Sequence, residues 1–218
     1  DEEELSGANI QDGVLLGYYG TEGNITLPNT VTKINDDALK GNKKIVSVTI
    51  PGSVKDIGNN AFQGCPNLEE IIFTNPDKAS NTLIIRVSAF QDCPKLTKCE
   101  IPARAYQVVG NIFKGCTSLK EVKVNDNNPY YFTKDGVLFG PALVNYKPQY
   151  DDAYALQSYP AGRQGAYTIP SSVNGKEIDQ VWTSGFEGSA SLTDITIPAS
   201  IGRLGTAAFE SALHELIK

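Results

Sequence analysis

The sequence predicts an α/β repeat solenoid: a right-handed coil of short parallel strands and single helical turns, interrupted once by a hairpin-containing insertion. Three observations carry this expectation. An anchor residue, usually Phe after a small residue, recurs at Leu39, Phe62, Phe90, Phe113, Phe186 and Phe209, and three of the five gaps are 23 residues long. Apolar residues keep step with it: Ile34, Ile57, Ile85, Val108, Val181 and Leu204 five positions before, and Ile45, Leu68, Leu96, Leu119 and Leu192 six after. Pro28, Pro51, Pro102 and Pro198 recur eleven positions before the anchor. Self-similarity at one period marks stacked units, none of which can bury its own apolar face.

Taken in order, residues 1–24 form an N-terminal strand and cap segment, starting with a charged end at Asp1–Glu4. Repeats one to four occupy 25–124. In the second, Leu68 to Phe73 alternates as a half-buried strand does. Pro51 ends the strand before it, because proline cannot donate to a ladder. Ser53 to Gly58 reads as a second extended piece. Asn59 to Cys65 reads as one helical turn, with Asn near its start and Ala61 where backbones crowd. The third unit is five residues longer, around Asn75 to Asn81, and lacks the proline. Residues 125–166 are the insertion, in which Asp135-Gly136 predicts a type I′ hairpin between Phe132 and Phe139; Asp12-Gly13 opens the chain in the same way. Repeats five and six fill 167–218, and the last is short after its anchor, so it either caps the array or belongs to one that continues.

The pattern I-P-x-S-V-x-x-I-G-x-x-A-F-x-x-C-x-x-L-x-x-I-x-I, matched almost residue for residue by Ile50 to Phe73, resembles the BspA-like leucine-rich repeats of bacterial surface proteins. The insertion resembles one in that family at Asp135-Gly136-Val137-Leu138, Tyr159-Pro160-Ala161-Gly162 and Tyr167-Thr168-Ile169-Pro170. The resemblance implies a leucine-rich-repeat-like coil and an exported or cell-surface protein, often adhesive and often from host-associated anaerobes. It names no ligand and no catalytic residue.

Composition narrows the rest. The 218 residues carry a net charge of −6, so a phosphate backbone exerts no attraction and nucleic acid is not an expected partner. No apolar run is long enough to span a bilayer. The chain has no Met, so it is expected to be either a processed form or a piece of a longer gene product, and a removed export signal, with or without a lipid anchor, is compatible with both.

Cys65, Cys93 and Cys116 share one slot, three residues after the anchor, with Asn42, Ser189 and Ala212. Small residues fill that slot, so these read as buried structural thiols. A ladder spreads ligands along the rod, and no metal or cofactor is expected. Cys99 sits in a strand-core slot. The single histidine, His214, lies in the last turn, and no nucleophile, phosphate-loop or dinucleotide motif is present, so the sequence predicts no enzyme. Adjacent acids at Asp36-Asp37 and Asp151-Asp152 lack the cleft that two-carboxylate hydrolysis needs, which a convex rod does not readily supply.

Two surfaces are candidates for ligand contact. The insertion is rich in tyrosine, and Tyr130, Tyr131, Tyr146, Tyr150, Tyr154 and Tyr159 offer flat faces with hydroxyls; internal packing is the competing expectation, with Tyr150 and Tyr154 the most exposed. The strand face presents Ser47, Thr49, Glu70, Ile72, Lys98, Glu100, Glu121 and Lys123, of which Glu70, Lys98, Glu121 and Lys123 are the charged candidates; a solvated face of cross-strand pairs is the competing reading. The expected function is binding of a host extracellular-matrix or cell-surface protein, or of another bacterial surface protein. The alternatives are a glycan-binding module that uses the insertion tyrosines and a spacer that presents another domain.

Overall fold

A computed structural model describes residues 4–74, 81–144, 147–148 and 153–212. The chain coils so that equivalent strands of successive units lie side by side. One sheet runs β1 (Ala8–Gln11), β2 (Val14–Tyr18), β4 (Lys33–Ile34), β6 (Asp56–Ile57), β8 (Leu83–Ile85), β10 (Ala105–Val108); after the opening β1–β2 hairpin every pairing in it is parallel. A second, entirely parallel sheet runs β3 (Asn24–Thr26), β5 (Ser47–Ile50), β7 (Glu70–Phe73), β9 (Lys98–Ile101), β11 (Lys123–Val124). A third holds β12 (Phe132–Lys134), β13 (Val137–Pro141), β16 (Tyr154–Ser158), β19 (Lys176–Val181) and β18 (Ser172–Val173), with β21 (Arg203–Leu204) beside β19. Two small sheets pair β14 (Leu143–Val144) with β15 (Lys147–Pro148), and β17 (Gly165–Thr168) with β20 (Leu192–Thr196). The Asp-Gly signals hold: Asp12 and Gly13, and Asp135 and Gly136, all take positive φ at two-residue hairpin loops.

The single helical turns expected at Asn59–Cys65 and its counterparts do not form; no helix occurs among the described residues. The reason lies in where the backbone donors go. An α-helix commits each N–H to the carbonyl four residues back. Here every second N–H leaves the coil: Asn60 donates to Val87 O (3.0 Å), Phe62 to Ala89 O (2.8 Å) and Gly64 to Gln91 O (2.8 Å). The residues between close tight turns three residues back, Ala61 to Gly58 O and Gln63 to Asn60 O. This alternation requires left-handed backbone two residues before and two after the anchor, as at Asn60 (φ 57) and Gly64 (φ 69). The corner of each coil is thus a third hydrogen-bonded ladder.

Asp37, Ser88 and Ser184 fill the earlier of these left-handed positions, and only Ala207 (φ 55) lacks a side chain that supports it. Left-handed backbone costs an ordinary L-residue about 1–2 kcal/mol, and Asn bears it best. Ala207→Asn is therefore expected to raise stability by about 1 kcal/mol, read as a higher midpoint in thermal melting; a lower midpoint would contradict the assignment.

The anchors point inward as the repeat requires. Phe62, Phe90, Phe113 and Phe186 are at most 1% exposed; Phe62 packs tilted against Phe90 at 5.4 Å, and Phe90 stacks on Phe113 at 5.9 Å. The row five positions earlier is buried from Ile34 to Val181, whereas Leu204, on the last strand of the row, is 55% exposed.

The stacked interior is not continuous along the rod. The buried residues form two apolar clusters that meet at β13, where Leu138 faces the first and its neighbours Val137 and Phe139 face the second. At this seam the backbone ladder of the first sheet stops at β10, and buried polar side chains replace it. Tyr131 Oη accepts the Val108 N–H (2.7 Å), and Gln157 Nε2 donates to the Val108 and Gly110 carbonyls at 2.7 and 3.0 Å. Ser158 Oγ donates to Asn111 Oδ1 (2.7 Å), while Asn111 Nδ2 donates to Ser184 O (2.9 Å). Buried polar groups persist only when partnered, and this network meets that condition.

The third coil, which lacks the proline, is bridged from above. The Arg104 guanidinium reaches back past it to the Val54 and Pro51 carbonyls at 2.5 and 3.2 Å. Burial lowers its pKa to about 10, which leaves it charged at neutral pH. Arg104→Met keeps the stem but leaves two carbonyls without a charged donor, and charge-assisted bonds contribute about 1.5–3 kcal/mol. A loss of about 2 kcal/mol in urea denaturation is expected; an unchanged midpoint would refute the bridge.

Candidate functional site

The second sheet sets up the candidate site. Along each of its strands the pleat turns Val48, Ile71 and Cys99 into the core and alternate residues outward. Strand register then fixes the neighbours: Glu70 stands beside Lys98, and Lys123 beside Glu100. Glu121, just before β11, approaches Lys123 Nζ at 3.3 Å, and Asn125 Nδ2 donates to Glu100 Oε1 (3.2 Å). The four charged residues predicted from the strand pattern, Glu70, Lys98, Glu121 and Lys123, are brought onto one surface. They border a groove of about 560 Å³, which Ile72, Phe73 and Ala103 also line. The expectation of a rod without a cleft is corrected here.

The charges are not locked. Lys123 and Glu121 are 64% and 58% exposed, and an exposed pair contributes about 0–1 kcal/mol. They can therefore exchange partners at little cost. Ile72, 38% exposed and lining the same groove, is an apolar contact open to solvent.

The tyrosines divide differently from the expectation. Tyr131 and Tyr159 are each 2% exposed and lie in the core rather than on a ligand surface. Tyr131 is spent on the seam. Tyr159 stacks on Phe186 at 4.9 Å, and its N–H donates to Gly185 O, as Phe62 donates to Ala89 O and Phe186 to Ala208 O. Tyr159 is therefore the anchor of a coil hidden inside the insertion. The available signal was its position, 46 residues after Phe113 and so two full periods. Tyr154, expected among the most exposed, is half-buried and accepts a hydrogen bond from Lys176 Nζ at 2.7 Å. Tyr130 is half-buried, while Tyr146, Tyr150, Asp151, Asp152 and His214 fall outside the described residues.

Cys65, Cys93 and Cys116 are fully buried, and each thiol donates to the anchor carbonyl of the preceding coil, at 3.0, 3.2 and 3.1 Å to Leu39, Phe62 and Phe90. Cys65 and Cys116 are pushed well above the usual thiol range, first by the Cys93 thiol between them and then by burial; burial does the same to Cys99. All four are free cysteines; Cys93 is shifted the other way, pulled down by hydrogen bonds from the Cys116 and Cys65 thiols, while Cys65, Cys99 and Cys116 stay protonated, and a protonated buried thiol is inert. Among the described residues no group of three or more His, Cys, Asp or Glu could hold a metal, and no helix is long and apolar enough to cross a membrane.

Coils stacked in register, with hydrogen-bonded corners and a continuous strand face, define a leucine-rich-repeat-like solenoid. A family model described as the BspA type leucine rich repeat region matches six copies over residues 18–131 and 167–217, and the chain belongs to that family. No curated protein matches the sequence. Among solved structures, the pneumococcal vaccine antigen PcpA is similar at 23% identity and a TM-score of 0.70, over 90% of this chain and 52% of that one. A leucine-rich repeat protein from Eubacterium ventriosum is similar at 20% identity and a TM-score of 0.53, over 92% of this chain and 59% of that one. This chain thus spans little more than half the length of either. At these identities the likeness establishes the fold.

Proposed function

We propose that the chain is a non-enzymatic binding module of a bacterial surface or secreted protein, and that it engages an extracellular protein through the groove over its second sheet. The observation that carries this reading is the groove itself: exchangeable charges of both signs around the exposed Ile72, on a face set by the repeat register. Such a face suits protein recognition, because mixed charges set specificity and association rate while an apolar contact contributes affinity. Family membership supports a surface location, and the pneumococcal antigen is a neighbour in fold. The partner class is a host extracellular-matrix or cell-surface protein, or a second bacterial surface protein.

The test is surface plasmon resonance against immobilised matrix proteins, with wild type beside Lys98→Glu/Lys123→Glu and Ile72→Glu. These positions are solvent-facing, so the variants should melt as wild type does. For any matrix protein that wild type binds, both are expected to weaken binding at least tenfold. Equal affinity of wild type and variants would sink the groove as the contact surface.

A further inference from the structure

A second concavity, of about 270 Å³, lies beyond the Asn125–Asn128 loop. The loop is held rigidly. Asn128 Nδ2 donates to the Pro102 and Ala105 carbonyls, both at 2.9 Å, and its Oδ1 accepts the Tyr130 and Tyr131 N–H groups. Asn125 is likewise committed, to Glu100 and to the Asn127 N–H. Opposite the loop the Asn174-Gly175 turn, with φ of 52° and 75°, brings Lys176 to the pocket.

Lys176 is the unusual group. Its half-buried ammonium donates to Tyr154 Oη (2.7 Å) and lies 4.2 Å from the Tyr154 ring centroid and 5.8 Å from that of Phe132. No carboxylate pairs with it among the described residues. An ammonium held by aromatic faces and one hydroxyl has two further N–H donors for a ligand. Around it, Thr133, Asn174 and Asp126 line the pocket and make no side-chain hydrogen bond among the described residues. They supply a hydroxyl, an amide and a carboxylate, and so both donors and acceptors. Phe132 adds an apolar ring.

We infer that this pocket binds an acidic sugar residue, with its carboxylate on Lys176 and its ring hydroxyls on Asn174, Thr133 and Asp126. Three features select a sugar over other anions. The exposed Asp126 repels a bare anion and rewards a ligand that brings hydroxyl donors. Neutral groups that both give and accept suit a polyol. The volume lies just under the range for drug-sized ligands, which matches a single ring. The charge-assisted contact from Lys176 supplies the preference for an acid over its neutral counterpart. This site is separate from the groove, and either can fail without the other.

The test is an NMR titration of the whole chain with methyl β-glucuronide, methyl β-glucoside, acetate and N-acetylglutamate amide. The glucuronide is expected to shift resonances of Thr133, Asn174 and Lys176, with the glucoside and acetate at least tenfold weaker. Lys176→Met should weaken glucuronide binding at least tenfold; should it fail to fold, the exposed Asn174→Gly, which tolerates the left-handed turn, serves instead, with a severalfold loss. The inference is overturned by absence of glucuronide binding, by equal binding of the glucoside or acetate, or by affinity unchanged in the folded variants. Equal or tighter binding of N-acetylglutamate amide overturns it too, since the pocket would then be a peptide-carboxylate site.

Discussion

Phe90→Ala is expected to lower the free energy of unfolding by about 4 kcal/mol, in the middle of the range for truncating a buried phenylalanine. Phe90 is fully buried and packs against a ring on both sides, tilted against Phe62 at 5.4 Å and stacked on Phe113 at 5.9 Å. Two consequences follow from its position. The loss includes contacts to two neighbours, not one. The cavity also cannot close, because the Phe90 N–H bonded to Ile112 O and the Phe62 N–H bonded to Ala89 O fix the coil spacing on either side. A void that the surroundings cannot fill costs most. Phe209→Ala provides the control, since Phe209 is only half-buried and stacks on Phe186 alone among the described rings. Its cost should be no more than about half as large. Urea denaturation of both variants decides the matter, and equal losses would show that two-sided ring contact is not what holds the anchor row.

The second large effect belongs to the seam. Asn111 is 5% exposed and makes four contacts: Nδ2 donates to Ser184 O and Gly185 O, and Oδ1 accepts from Ser158 Oγ and the Phe113 N–H. Leucine has the same branched side chain of four heavy atoms and is larger, so Asn111→Leu removes the polar groups without opening a void. Several partners are then left buried and unmatched, each at a cost of about 1–3 kcal/mol, offset in part by relaxation. A total loss of about 3–4 kcal/mol is expected. It should fall unequally, because Asn111 joins the two apolar clusters rather than sitting within either. Hydrogen exchange should show the amides of 153–212 opening before those of 25–124. Uniform loss of protection along the chain would refute a seam that couples two cores.

Much of this architecture was legible from residues alone. Positions five before and six after the anchor are buried almost throughout, because only one phase of the repeat brings apolar side chains inside. The charged strand face was legible for the same reason: alternation along a strand leaves Glu70, Lys98 and Lys123 no other side. The corner turns were misread because Asn59 to Cys65 carries helix-start residues, while the partners of its N–H groups lie on another coil, which a local pattern cannot reveal. Tyr131 and Tyr159 were candidates for contact because tyrosine chemistry does not state its location; the two-period offset of Tyr159 from Phe113 was the cue. The Lys176 pocket joins residues 125–133 to 174–176 across β12, β13 and β16, and no spacing in the sequence brings those segments together.

The seam also decides how the molecule carries tension. Elsewhere along the rod successive coils are joined by backbone rungs on three sides. Between β10 and the strands that follow, the first sheet is joined by the ends of Tyr131, Gln157 and Asn111 side chains. A chain pulled from both ends is therefore expected to part first at this seam, and the residues that line the groove all precede it.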